Sequence, residues 1–258
     1  MHIRLAALLR RQKKIPSPSP LKARLWIFIV LAVAGGVTSC KSPAPQESET
    51  PVVPGLSEDG NIYAVAFSPQ KVLHYPLYQP NPLKPELRVD INFQDDPMTL
   101  SAAVAPLTQA LNQIACDVLV CIGFKATPLG VLLAKERHVP WIILKDQLEN
   151  SGPSAKIVYR SAYGENDFQS LYLTEDQKAM VQGENVVLLS SVLRSSEQVT
   201  AAVKLMQDVK AKVSAIVVPF TEGRAAQEKF IVRGESYSLI TMGVLPIFSG
   251  PTLSSPAP

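Results

Sequence analysis

Four serines, Ser190, Ser191, Ser195 and Ser196, stand within seven residues of one another in a polar turn broken by Val192 and Leu193. The turn follows the apolar run Val186-Val187-Leu188-Leu189, which is short and β-branched and reads as a fully buried strand. Ser195 and Gln198 stand at capping-box spacing, so Ser195 is expected to cap a helix. A helix N-terminus offers unpaired N–H groups and partial positive charge, which suits a phosphate. His2, His74 and His138 are scattered, and no Cys/His cluster has metal-ligand spacing, so zinc and triad chemistry have no support.

The elements that must position these serines follow from hydrophobic period. Val199, Ala202, Val203 and Met206 recur at three and four, the core stripe of a helix, and residues 215–218 form the next buried strand. Two parallel strands joined by one helix are the expected geometry. Upstream, residues 99–115 read as a helix with Leu107, Ala110, Leu111 and Ile114 on one face and Pro106 at a boundary or first turn. A strand over 117–123, a turn over 123–127, a helix over 128–137 and a strand over 139–144 follow. Residues 151–153, Ser-Gly-Pro, suit a flexible excursion, and residues 221–224 read as a turn. Strands are also expected at 62–67, 168–174 and 237–240. Prolines 69, 76, 80, 82, 85 and 97 make 68–97 read as extended coil with one edge strand at 88–93. Its aromatics Tyr75, Tyr78 and Phe93 either pack on the body or form a hood over a ligand.

Taken together, these stretches resemble the type I phosphoribosyltransferases, of the adenine and xanthine type. The middle of the chain carries the resemblance in Asp117, Gly123-Phe124, Pro128-Leu129-Gly130, Ala134, Val139-Pro140 and Lys145. Tyr159, Tyr163-Gly164 and Asp167 are similar to the family's mobile loop, and Tyr237-Ser238-Leu239 to a strand near its end. The resemblance implies an α/β fold, a parallel sheet flanked by helices with a small hood. It also implies that Ser190, Ser191, Ser195 and Ser196 face phosphoribosyl, with Gly123, Lys125, Thr127 and Lys145 on the diphosphate side. The family's signature has two acids and then Thr-Gly-Gly-Thr. Here Ser190-Ser191 replace the acids, and Ser195-Ser196-Glu197-Gln198 replace the glycine turn. The glycines that permit close backbone approach are gone, so no cofactor is expected, and Mg²⁺ only where phosphoribosyl-diphosphate binding is retained.

The charge balance reports the start of the chain. Residues 1–39 hold seven of the 25 Lys and Arg and no acid, which leaves 18 bases against 22 acids, a net charge near −4. No nucleic-acid partner is implied, and no oligomeric state is set. Lys22 and Arg24 precede an apolar run from Leu25 of roughly 10–13 residues, the length of a signal-peptide core. Val37-Thr38-Ser39-Cys40 resembles the lipobox of bacterial lipoproteins, which implies lipidation at Cys40 and a membrane anchor. Lys41 stands where an aspartate would retain a lipoprotein at the inner membrane, which points to the outer membrane of a Gram-negative envelope.

The expected organisation is a signal peptide over 1–39, a lipidated Pro/Ser/Glu-rich tether over 40–60 and a hood over 61–98. The phosphoribosyltransferase-like domain spans 99–248, and a disordered tail 249–258. Cys116 and Cys121 are expected on opposite strand faces, about 16 Å apart and unbridged. The resulting expectation is a catalytically inactive, lipid-anchored envelope protein that binds a nucleotide-like ligand or a protein partner. The alternatives are an active purine phosphoribosyltransferase and a purely structural lipoprotein.

Overall fold

The computed structural model describes residues 55–58, 60–80, 84–146, 154–160, 167–223 and 229–249. The signal peptide, Cys40, most of the tether, residues 151–153, Tyr163-Gly164 and residues 250–258 lie outside the described residues. The chain opens with β1 (Gly55–Leu56), β2 (Ile62–Ser68), β3 (Lys71–Tyr78) and β4 (Glu86–Val89), then α1 (Pro97–Leu111) and β5 (Val118–Ile122). A 3₁₀ turn, Phe124–Ala126, leads into α2 (Thr127–Arg137), β6 (Trp141–Leu144), β7 (Ala155–Arg160) and β8 (Phe168–Leu173). There follow α3 (Glu175–Val181), β9 (Asn185–Leu189), β10 (Val192–Leu193), α4 (Glu197–Asp208) and β11 (Lys212–Val217). The last elements are β12 (Phe220–Glu222), β13 (Lys229–Val232), β14 (Glu235–Ile240), β15 (Gly243–Leu245) and β16 (Ile247–Ser249).

The central sheet has the order β13-β14-β11-β9-β5-β6, and all its neighbours run parallel except the edge pair β13-β14. Every residue of β5 is buried, as expected of a strand covered on both faces. Period-2 alternation divides the core. Val118, Val120, Ile122, Val186 and Leu188 face α4, where they meet Val199, Ala202, Val203 and Met206. Leu119, Cys121, Val187 and Leu189 face the other way, toward Leu107 and Leu111 of α1 and Leu129 and Leu133 of α2. The α/β architecture with a parallel sheet flanked by helices is therefore present.

Several local expectations are corrected. Residues 71–78 form a strand, because Val72, Leu73 and Tyr75 find partners in β2, and Leu77 in β4, that extended coil would not supply. Pro76 stands opposite Ile62 near the end of that ladder, a position where a strand tolerates proline. Gly55 and Leu56, assigned to the tether, pair with Ala64 and Tyr63. β16 pairs antiparallel with β4, so the hood sheet, β1-β2-β3-β4-β16, is closed by the C-terminal segment. Residues 221–222 belong to β12, which runs between β10 and β15 in a three-stranded parallel sheet. Cys116 and Cys121 are both free and pack with the same core cluster, because the strand begins only at Val118.

The helices show why residue type and position agree. In α1, Asp96 is the N-cap and accepts from Met98 N–H at 2.9 Å, with Pro97 following. Thr99 Oγ1 also donates to Asp96, and Tyr75 Oη lies 2.5 Å from Thr99 Oγ1, tying β3 to the helix start. That hydroxyl donor holds the Asp96 carboxyl below its usual range, while burial pushes Tyr75 up to about 12. Pro106 lies inside α1 and does not break it, since the apolar face is held by packing. The helix stops at Leu111 and not at 115, where Arg137 donates to the carbonyls of Leu111 at 2.7 Å and Ile114 at 2.9 Å. α3 went unread in the sequence, although Thr174 and Gln177 form both bonds of a capping box.

Gly130 of α2 lies against β5 so closely that a Cβ there would stand 2.1 Å from Cys121 Sγ, 3.2 Å from Leu119 and 3.3 Å from Leu189. Gly130→Ala is expected to destabilise by about 1–3 kcal/mol through overpacking, outweighing a propensity gain of about 1 kcal/mol. Urea unfolding measures it. In a Cys121→Ala background the loss should shrink to a fraction, and equal losses in both backgrounds would refute the contact.

Candidate functional site

Strands β9, β5 and β6 are adjacent and parallel, so their carboxyl ends bring three loops together. Facing those loops is the segment that follows β4. Between them opens a cleft of about 710 Å³, lined by Asp90 to Asp95, by Ile122 to Lys125, by Asp146 and by residues 190–195. A crevice outside the carboxyl ends of a parallel sheet is where open α/β folds take ligands, and the volume suits a small molecule.

The structure brings Ser190, Ser191, Ser195, Gly123 and Lys125 to this one cleft. Ser196, Thr127 and Lys145 adjoin these residues and do not line the cleft. Ser196 is the N-cap of α4; its backbone is αR, and its side chain makes no capping bond. Ser195 therefore does not cap the helix, and the expected capping box is absent: the helix begins at Glu197, and Ser195 lines the cleft. Thr127 Oγ1 donates back to the Gly123 carbonyl at 3.3 Å. Lys145 continues β6 through a bridge with Tyr172, exchanging backbone bonds of 3.3 and 2.9 Å.

Gly123 has φ +76°, a conformation that only glycine adopts cheaply. Its own N–H is donated to Leu144 O at 3.2 Å. Tyr159 on β7 and Gln169 on β8 close one side of the cleft, with Tyr159 Oη donating to Gln169 Oε1 at 2.7 Å. Burial raises the Tyr159 pKa.

Sequence reasoning missed the charged framework. Asp90, Asp95 and Asp146 all line the cleft. Arg194, inside the serine turn, is committed to Glu222: its Nε donates to Oε1 at 2.9 Å, and its guanidinium lies 5.6 Å from the Tyr78 ring centroid. Arg88 Nη1 donates to the other oxygen of Glu222 at 2.9 Å, and its Nη2 to Glu86 at 3.2 Å. The Glu222 side chain is 1% exposed. Read as a turn residue, Glu222 gave no signal of this; burial of a carboxylate between two arginines is a tertiary event.

Magnesium asks for several convergent oxygen ligands. Among the described residues no group of three His, Cys, Asp or Glu side chains converges as a metal site, and the serines are neutral. Among the described residues, the side chains do not by themselves make a site for a resident divalent cation.

No protein-family model matches the sequence, and no curated protein matches it either. Solved structures do. Adenine phosphoribosyltransferase from Saccharomyces cerevisiae, complexed with an imino-altritol bisphosphate and adenine, superposes with a TM-score of 0.51 at 16% identity, over 65% of this chain and 93% of that one. The fold is that of the type I phosphoribosyltransferases. The enzyme from Leishmania donovani gives a TM-score of 0.50 at 16% identity, over 66% of this chain and 76% of the other. Its counterpart from Trypanosoma brucei gives 0.50 at 14% identity with the same coverage. At such identity the likeness concerns the fold alone, and the chemistry of this phosphoribosyltransferase-fold domain has to be read from its own side chains.

Proposed function

We propose that this protein is a lipid-anchored envelope protein whose phosphoribosyltransferase-fold domain holds a nucleotide-like small molecule and transfers no phosphoribosyl group. One observation carries the reading: the cleft is retained at the carboxyl ends of β9, β5 and β6, while the turn that enters it from β9 offers Ser190 and Ser191. In the pattern that this turn resembles, two acids stand there. Transfer through an oxocarbenium-like transition state needs charge placed where charge develops. Two neutral hydroxyls supply none, and no glycine turn follows them to wrap a 5′-phosphate. The anchor rests on Cys40 and the apolar run before it.

Two measurements test the reading. Incubation with adenine or hypoxanthine, phosphoribosyl diphosphate and Mg²⁺ is expected to give no turnover above a protein-free blank, while a panel of nucleosides and nucleotides should contain a compound that raises the melting midpoint. Turnover above the blank would overturn it. In cells, Cys40→Ser is expected to abolish incorporation of labelled fatty acid and to release the protein from the membrane fraction; unchanged labelling would refute the anchor.

A further inference from the structure

We propose that the cleft selects a donor-rich small molecule without phosphate, uncharged or cationic and carrying a planar ring, of which an amino-substituted nucleoside is the representative. This rests on the reading that the cleft holds a nucleotide-like ligand, and it specifies the chemical class.

Charge decides the class. Two arginines and two glutamates, Arg88, Arg194, Glu86 and Glu222, are bonded to one another and cancel. Among the described residues that line the cleft, what remains is three carboxylates, Asp90, Asp95 and Asp146, against one lysine, Lys125, a net charge of −2. A phosphate monoester carries about −1.5 to −2 at neutral pH, so its entry sets like charges in one crevice. Hydrogen-bond capacity points the same way. Ionised carboxylates only accept, so they match a ligand rich in hydroxyl and amino donors. Ser190, only 4% exposed, lines the same cleft and offers a hydroxyl that can donate or accept. Phe124, half exposed, and Tyr78 supply ring faces for a planar group.

The test is titration calorimetry of the full chain in detergent with adenosine, AMP and phosphoribosyl diphosphate. Adenosine is expected to bind, with AMP about tenfold weaker at low salt because like charges face each other across the cleft. The gap should narrow as NaCl screens it. Replacing Asp90, Asp95 and Asp146 together by Asn should improve the AMP-to-adenosine affinity ratio about tenfold. AMP or phosphoribosyl diphosphate binding as tightly as adenosine would overturn this inference and leave the ligand-cleft reading standing. A ratio unmoved by the triple substitution would overturn the electrostatic argument. Binding of none of the three would overturn the ligand-cleft reading, and this inference with it.

Discussion

Glu222→Ala is expected to cost about 3–5 kcal/mol of stability, because it leaves two half-buried arginines without their shared carboxylate. Glu222 lies on β12, Arg88 on β4 of the hood sheet, and Arg194 follows β10 at the edge of the serine turn. A side chain that is 1% exposed thus bonds to two arginines from distant parts of the chain. The contribution of the network is not the sum of its Coulomb terms, since desolvating three charges offsets much of the gain. The loss on truncation is large for the same reason: the desolvation cost stays while the compensation goes. Urea unfolding checks the value. Glu222→Gln, which keeps shape and one acceptor, should lose less. A double-mutant cycle with Arg88→Ala should show coupling, since the two residues are in direct contact. A Glu222→Ala loss below about 1 kcal/mol would mean that the arginines rehydrate freely and that the network is not a fastening.

The second large effect is expected at Phe220. This residue is 1% exposed and stands edge-on to Phe67 of β2, with ring centroids 5.2 Å apart and planes at 84°. Phe67 in turn lies 6.3 Å from the ring of Tyr75 on β3. Phe220→Ala should cost about 3–5 kcal/mol, the transfer free energy of the ring together with the cavity it leaves. Part of that, about 0.5–1.5 kcal/mol, should be specific to the aromatic pair and appear as coupling with Phe67→Ala. Because the pair joins the small parallel sheet to the hood, amide exchange in β2 and β3 should accelerate more than in β9 or β11. Uniform acceleration across all four strands would mean that the hood does not depend on this contact.

These two positions mark the limit of what the chain discloses on its own. The runs Val118-Leu119-Val120-Cys121-Ile122 and Val186-Val187-Leu188-Leu189 were legible because a parallel strand covered on both faces must be apolar throughout. The stripe of α4 was legible because Val199, Ala202, Val203 and Met206 keep the helical period. With those elements placed, Ser190, Ser191, Ser195, Gly123 and Lys125 fall into one cleft almost by topology, since turns at the carboxyl ends of adjacent parallel strands must meet.

The remainder depended on partners far away in sequence. β3 pairs with β2, β16 with β4, and β12 with both β10 and β15, and none of these short segments has an apolar pattern strong enough to fix its neighbour. Asp90, Asp95 and Asp146 acquire a shared cleft only when the hood is folded over the sheet. Glu222 is an ordinary polar residue until Arg88 and Arg194 reach it across 134 and 28 positions of chain. Local pattern determined the parallel sheet and the place of the cleft, because period and burial are properties of a segment. Tertiary structure alone decided the charge of the cleft, because charge at a site is summed over segments that only folding brings together.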